Sequence, residues 1–222
     1  MNGSERENNG KSTIVVVATY NERDNIVQLA SEILKLDEEI KLLFVDDNSP
    51  DGTGILADKI AERNERVKVL HRPAKEGLAS ALIEGFRWAL EQKADFVVNL
   101  DGDLSHDPRA IPVLAEIATH ADLVIGSRYA NGIRVINWSQ DRLLLSLLAA
   151  HYVRLITRLP FMDPTSGFRC FRRNALKLAL QNPITATGFS FHIEILYKIG
   201  EAVCVYWRRL LFLKRECEAL VK

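Results

Sequence analysis

The sequence predicts an α/β fold, with a mostly parallel central sheet flanked by helices. Three observations predict it. Short apolar or β-branched runs alternate with segments whose apolar residues recur at helical spacing. Polar clusters rich in Asp, Asn and Gly follow several of those runs. A length of 222 residues, with 47% hydrophobic residues, suits one domain with a well-buried core.

The elements follow in order. Thr13–Thr19 (TIVVVAT) is a β-branched strand, and Asn25–Leu36 sets Ile26, Leu29, Ile33 and Leu36 on one helical face. Leu42–Val45 is a second strand, followed by the turn-rich DDNSPDGTG and a helix over Gly54–Arg63. Val67–Leu70 is a third strand. The helix over Gly77–Glu91 carries one stripe of Leu78, Leu82, Phe86 and Leu90. Asp95–Leu100 (DFVVNL) and Asp122–Gly126 (DLVIG) are further strands, with Leu114–Thr119 in a helix between them. The second half is less regular. Leu143–Leu159 is apolar and helical, Asp163–Arg173 is a turn-rich polar stretch, and Asn174–Leu180 and Ile193–Gly200 are helices. Right-handed crossovers place the loops after the parallel strands along one edge, the edge where open α/β sheets bind ligands.

Bulk properties narrow the classes. Lys+Arg and Asp+Glu are both 29, without the basic excess of a nucleic-acid binder. Cys170, Cys204 and Cys217 are widely spaced and form no CxxC, so neither a zinc site nor a disulfide framework is expected. Residues 1–12 read as a disordered tail without a secretory apolar stretch. The tract Leu143–Ala150 is too short to span a bilayer. The expectation is a cytoplasmic protein that touches a membrane only peripherally, with one domain over residues 13–200 and an atypical tail over 201–222.

Three clusters carry chemistry. Asp101-Gly102-Asp103 follows an apolar strand, and two carboxylates at this spacing suit a hard divalent cation whose shell substrate phosphates complete. The intervening glycine allows close approach to the backbone, although a bare DxD is more often a loop of solvated acids. Asp46-Asp47 ends the second strand, where an acid can accept hydrogen bonds from a base or ribose or serve as a phosphoacceptor. In Tyr20-Asn21-Glu22-Arg23 the ring could stack on a base, while a helix start capped by Asn21 is the plainer alternative. There is no GxxxxGK[ST] and no GxGxxG after the first strand. His71, His106, His120, His151 and His192 show no ligand spacing, and no GxSxG elbow occurs.

Taken together, the chain resembles the family-2 glycosyltransferases, in particular those of the dolichol- and polyprenol-phosphate mannose synthase type. The matching runs are TYNERDNI (Thr19–Ile26), VDDNSPDGTG (Val45–Gly54), EGLASAL (Glu76–Leu82), DGDLSHDP (Asp101–Pro108), DLVIGSRY (Asp122–Tyr129), NWSQDRLLLS (Asn137–Ser146) and DPTSGFRCFRR (Asp163–Arg173). They occur in family order. The resemblance implies a GT-A fold of the nucleotide-diphospho-sugar transferase type, GDP-mannose as donor, a polyprenyl (dolichyl) phosphate as acceptor, and Mg²⁺ or Mn²⁺. By motif position, Ala18, Tyr20, Glu22, Val45 and Asp47 would line the nucleoside pocket. Asp101, Gly102, Asp103 and Arg128 would meet the rest of the nucleotide sugar, with Asp101 and Asp103 on the metal. Arg128, Arg142 and Ser146 would hold the acceptor phosphate, and Asp103 and Arg128 stand as the catalytic candidates. The reaction implied is an inverting transfer; UDP-glucose or another donor, or a weakly active homologue, is the alternative. The segment Leu143–Leu159 would either pack in the core or lie in the membrane interface beside the lipid.

Two departures stand out. Ala18 replaces the proline usual before TYNE. After Gly200 the family continues with a strand and a basic R-x-x-G-x-S-K loop over the donor phosphates, whereas this chain reads AVCVYWRRLLFLKRECEALVK. Codons can be chosen so that Arg215–Lys222, read two bases later, gives such a loop. A frameshift from about Ala202 is therefore one reading, and a divergent C-terminal strand and helix the other.

Overall fold

The computed structural model describes residues 11–127, 148, 151–153, 155, 156, 163–188 and 190–202. Six strands form one sheet in the order β3-β2-β1-β4-β6-β5. They are β1 (Thr13–Thr19), β2 (Ile40–Asp46), β3 (Val67–His71), β4 (Phe96–Asn99), β5 (Leu123–Ile125) and β6 (Arg169–Arg172). Strands β1, β2, β3 and β4 are mutually parallel, and β6 runs antiparallel to both of its neighbours. The helices are α1 (Ile26–Leu34), α2 (Thr53–Arg63), α3 (Leu78–Glu91), α4 (Ile111–Ala118), α5 (Arg173–Ala179) and α6 (Ser190–Ala202).

Burial on both faces explains why the strands read as continuous apolar runs rather than alternating ones. Ile14, Val16, Leu43 and Val45 pack toward α3, α5 and α6, while Val15, Val17, Leu42 and Phe44 pack toward α1, α2 and α4. The chain winds outward from β1 through β2 to β3, and α3 then carries it back across to β4 on the other side of β1. The order thus reverses between β1 and β4, and the crevice beyond their carboxyl ends is where such sheets bind ligands.

Two sequence expectations are corrected. Asp163–Arg173 was expected to be a polar turn, but its second part is β6, wedged between β4 and β5. RCFR carries arginine at both ends, so no β pattern is visible; its strand state comes from tertiary pairing, Asn99 with Arg169 and Val97 with Phe171. Asn21 does not cap a helix. It sits at φ 61° in a turn, and the first helix starts at Ile26.

Gly85 on α3 lies against the sheet, where an added Cβ would stand 2.5 Å from Val16 Cγ1 and 2.9 Å from Val45 Cγ2. A glycine-to-alanine change inside an exposed helix gains about 1 kcal/mol. Here the sign reverses, because both valines are locked in the core. Gly85→Ala is expected to destabilise the protein by about 1–3 kcal/mol in urea unfolding; a variant more stable than wild type would refute this packing.

Candidate active site

The loops after β1 and β2 are tied to one another. Thr19 Oγ1 donates to Asp46 Oδ1 at 3.2 Å, and Ser49 donates to the same carboxylate through Oγ at 2.6 Å and its amide at 3.0 Å. The Asn21 amide reaches Ser49 Oγ at 3.1 Å, and the Glu22 amide reaches Thr53 Oγ1 at 2.9 Å. Asp51 accepts from the Thr53 amide and hydroxyl and from the Arg23 amide. Burial pushes the Asp51 carboxyl up, but those hydrogen bonds and the Arg23 charge outweigh it and hold the group below its usual range.

Asp47 is buried and engaged on both oxygens. Arg72 Nη1 donates to Oδ1 at 2.5 Å, and the amides of Glu76 and Gly77 donate to Oδ2 at 3.2 and 3.0 Å. Arg72 is 5% exposed and also donates to Glu76, Ser80 and Glu84. This network fixes the turn that leads into α3. Lys75 Nζ lies 3.6 Å from the centroid of the Tyr20 ring, a cation–π contact at the mouth of the crevice. Val45 is fully buried, paired within β2 on both sides and with its side chain against α3, so it lies behind the crevice rather than on its surface. Ala18 is half-buried on the same stretch of sheet.

The loop after β4 brings the central acids forward. Gly102 abuts Glu22: an added Cβ would stand 3.2 Å from Glu22 Cγ, so the β1 and β4 loops touch here. Glu22 is itself steadied by Asn25 Nδ2 at 2.7 Å. Asp103 is exposed, and its Oδ1 accepts from the Ser105 amide at 2.9 Å. Leu104 at φ 59° turns the chain back so that His106 faces Asp101. The Asp101 amide donates to His106 Nδ1 at 3.3 Å, and His106 Nε2 lies 3.6 Å from Asp101 Oδ2.

On its other side the Asp101 carboxylate meets the turn before β6. An added Cβ on Gly167 would stand 2.8 Å from Asp101 Oδ1, so any larger residue here would have to push the carboxylate aside. Asn99 Nδ2 donates to the Gly167 carbonyl at 2.5 Å. The turn is held from beneath by Arg169, fully buried, which donates to the carbonyls of Ser166 at 2.7 Å, Pro164 at 2.6 Å and His192 at 2.8 Å. Burial pulls the Arg169 pKa down to about 9, against the opposing pull of Asp163 and Asp101. Ser166 Oγ donates to the Gly126 carbonyl at 2.8 Å, joining the turn to the end of β5.

Of the residues singled out in the sequence, the fold gathers Tyr20, Glu22, Asp47, Asp101, Gly102 and Asp103 at one sheet edge, on the carboxyl ends of β1, β2 and β4. Arg128, Arg142 and Ser146 lie outside the described residues, as does the tail from residue 203. Sequence reasoning quoted but assigned no role to His106, Gly167 and Arg169, and it missed Asn99. DGDLSHDP and TSGFR contained the first three, but nothing in the spacing says that these two motifs meet. Among the described residues no group of three or more His, Cys, Asp or Glu side chains is arranged to hold a metal. Asp101 and Asp103 nonetheless offer the hard oxygen donors that a divalent cation shared with a diphosphate takes, in a carboxylate seat that Gly167 leaves open.

Residues 14–179 match the family described as glycosyl transferase family 2. The chain is 37% identical over 185 residues to an undecaprenyl-phosphate mannosyltransferase of Micrococcus luteus, covering 83% of this chain and 76% of the relative. It is 37% identical over 207 residues to a polyprenol monophosphomannose synthase of Mycolicibacterium smegmatis, covering 92% and 78%. Among solved structures, a glucosyl-3-phosphoglycerate synthase from Mycobacterium tuberculosis with Mn²⁺, UDP-glucose and glycerol 3-phosphate superposes with a TM-score of 0.65 at 21% identity, over 88% of this chain and 68% of that one. A mannosyltransferase from Pyrobaculum calidifontis with GDP-mannose and Mn²⁺ gives 0.52 at 18% identity, over 74% and 45%.

The Asp47–Arg72 pair yields a stability prediction that needs no ligand. Arg72→Met leaves a buried carboxylate without its cation and is expected to cost about 3–5 kcal/mol in urea unfolding. Adding Asp47→Asn removes the stranded charge, so the double variant should recover a large part of that loss. Equal stability of the single and double variants would show that the pair is not coupled.

Proposed function

The chain belongs to glycosyl transferase family 2, and on that premise we propose that it transfers mannose from GDP-mannose to a polyprenyl (dolichyl) phosphate. The supporting relatives are named for mannosyl transfer to polyprenyl phosphates. The observation that carries the reading is the pair Asp101 and Asp103 on the carboxyl end of β4, beside the switch between β1 and β4 and in contact with Glu22 through Gly102.

In this reading Tyr20, Glu22, Ala18 and Asp47 bound the nucleoside subsite, with the buried Val45 behind them. Asp47 acts there through the rigid turn it forms with Arg72 as much as by direct contact. Asp101 and Asp103 would hold Mg²⁺ or Mn²⁺, which when bound would supply positive charge to the departing nucleoside diphosphate. Gly102 lets the sugar diphosphate approach the main chain. Arg128, with Arg142 and Ser146, takes the acceptor phosphate, for which a planar guanidinium is well matched.

The acceptor needs no general base. A phosphate monoester has a second pKa of about 6, so one of its oxygens is already anionic at neutral pH. That oxygen forms the new bond to the anomeric carbon as the bond from that carbon to the GDP oxygen breaks, and GDP leaves with the electron pair. A single displacement converts the α-linked donor into a β-linked product. The remaining task is to bring two anionic substrates together, which falls to the cation and the arginines.

A membrane role accompanies this chemistry. Leu148, Tyr152, Leu155 and Ile156 are 58–71% exposed and fall at helical spacing. An apolar face of this kind suits the bilayer interface from which a polyprenyl tail would be drawn. No helix among the described residues is long and apolar enough to cross a membrane.

Two experiments test the reading. Purified protein, incubated with radiolabelled GDP-mannose, Mg²⁺ or Mn²⁺ and a short polyprenyl phosphate, should form a labelled lipid, and Asp103→Ala should slow this about 100-fold or more. Transfer from UDP-glucose but not GDP-mannose would reassign the donor, and an Asp103→Ala variant as fast as wild type would remove the acids from the reaction. In liposome flotation, Leu148→Lys/Ile156→Lys should lose membrane binding that wild type shows; unchanged flotation would count against the interfacial helix.

A further inference from the structure

Resting on the reading above, we propose that His106 is the positioning residue of Asp101, fixing its carboxylate for the cation and diphosphate. The Asp101 amide donates to Nδ1 at 3.3 Å, so the neutral ring carries its hydrogen on Nε2. Nε2 lies 3.6 Å from Asp101 Oδ2. One imidazole therefore accepts from the main chain of Asp101, which fixes the loop, and holds its other nitrogen just beyond hydrogen-bond distance of the Asp101 carboxylate, where a small closure on cation binding would let it donate.

The ring has little freedom of its own. Its side chain is 9% exposed and stacks on Phe168, with centroids 5.2 Å apart and planes at 16°. Phe168 adjoins Gly167, whose missing Cβ makes room for Asp101 Oδ1. Gly167 thus adjoins both oxygens of the carboxylate and His106 adjoins Oδ2, and the Phe168 ring aligns the histidine wall. The Asp101 side chain is 38% exposed between them. Groups that orient a metal-binding side chain in this way typically alter metal affinity about 10–100-fold when removed.

The test uses the full chain with Mn²⁺ and GDP, measuring free Mn²⁺ by electron paramagnetic resonance, alongside thermal melting and the kcat and KM for GDP-mannose. His106→Ala is expected to weaken Mn²⁺ binding about 10–100-fold. His106→Gln, which can place a donor near Nε2, should restore most of it. His106→Asn keeps only the acceptor at Nδ1, so it should melt like wild type while binding Mn²⁺ as weakly as His106→Ala. Unchanged Mn²⁺ affinity in His106→Ala would overturn the proposal. So would an affinity that falls only in step with melting temperature across all three variants, since that would mark a purely structural residue. If wild type itself neither binds Mn²⁺ with GDP nor transfers mannose, the functional reading fails as well; if wild type does both and His106→Ala matches it, only this inference fails.

Discussion

The candidate site depends on one buried cation. The Arg169 guanidinium is excluded from solvent, where a charge is tolerated only if its hydrogen bonds are fully met. Main-chain carbonyls of Ser166, His192 and Pro164 engage each of its three nitrogens in turn. Its pKa of about 9 still leaves it charged at neutral pH. By gathering these carbonyls it fastens the turn before β6 to the start of α6. The turn in turn presents Gly167 to Asp101 and Ser166 to the end of β5. A hydrophobic side chain of equal volume could fill the space but could not close the turn. The antiparallel strand between β4 and β5 is therefore more than an addition to the sheet, because it sets one wall of the acidic centre.

Burial sorts the acids of the cleft into two kinds. Asp46 and Asp47 are both nearly sealed from solvent, and their carboxylates are tied to Thr19, Ser49, Arg72 and the 76–77 amides. Carboxylates so engaged organise loops and have little capacity left for a cation. Asp101 and Asp103 are open by comparison. The same two-acid pattern at two neighbouring strand ends thus gives a scaffold in one case and a candidate ligand pair in the other. A phosphoacceptor role for Asp46-Asp47 is disfavoured on the same ground, since the acceptor oxygen must be reachable.

This sorting also explains what could be read from the sequence. The parallel core was legible because β1 and β2 are buried on both faces, and β-branched runs such as TIVVVAT have few other stable states. The helices were legible from their apolar stripes, to within a few residues at each end. Strand β6 was not, because Arg169 and Arg172 occupy ends that a local reading assigns to solvent, and a buried arginine is recognisable only once its carbonyl partners are in place. The β-strand end positions of Asp101 and Asp103 were legible from DFVVNL. The roles of His106, Asn99 and Gly167 were not, since Asn99 and Gly167 meet across 68 residues of chain. Arg128, Arg142 and Ser146 rest on motif position.

On the proposed reaction, charge balance explains why the motifs divide as they do. Joining a sugar diphosphate to a lipid phosphate concentrates negative charge at one point. Arg72 offers little relief there, because it is already shared among Asp47, Glu76 and Glu84 in a cluster that is net negative. Asp101 and Asp103 add to the excess. Such a surface favours a divalent cation, because only a small double charge satisfies converging carboxylates and phosphate oxygens together. The acceptor phosphate then needs its own cations, and the sequence carries the candidate arginines Arg128 and Arg142 in the segment that follows β5. Ser166 ties the end of β5 to the turn that seats Asp101. The acidic centre and the end of β5 are thereby held by the same buried guanidinium.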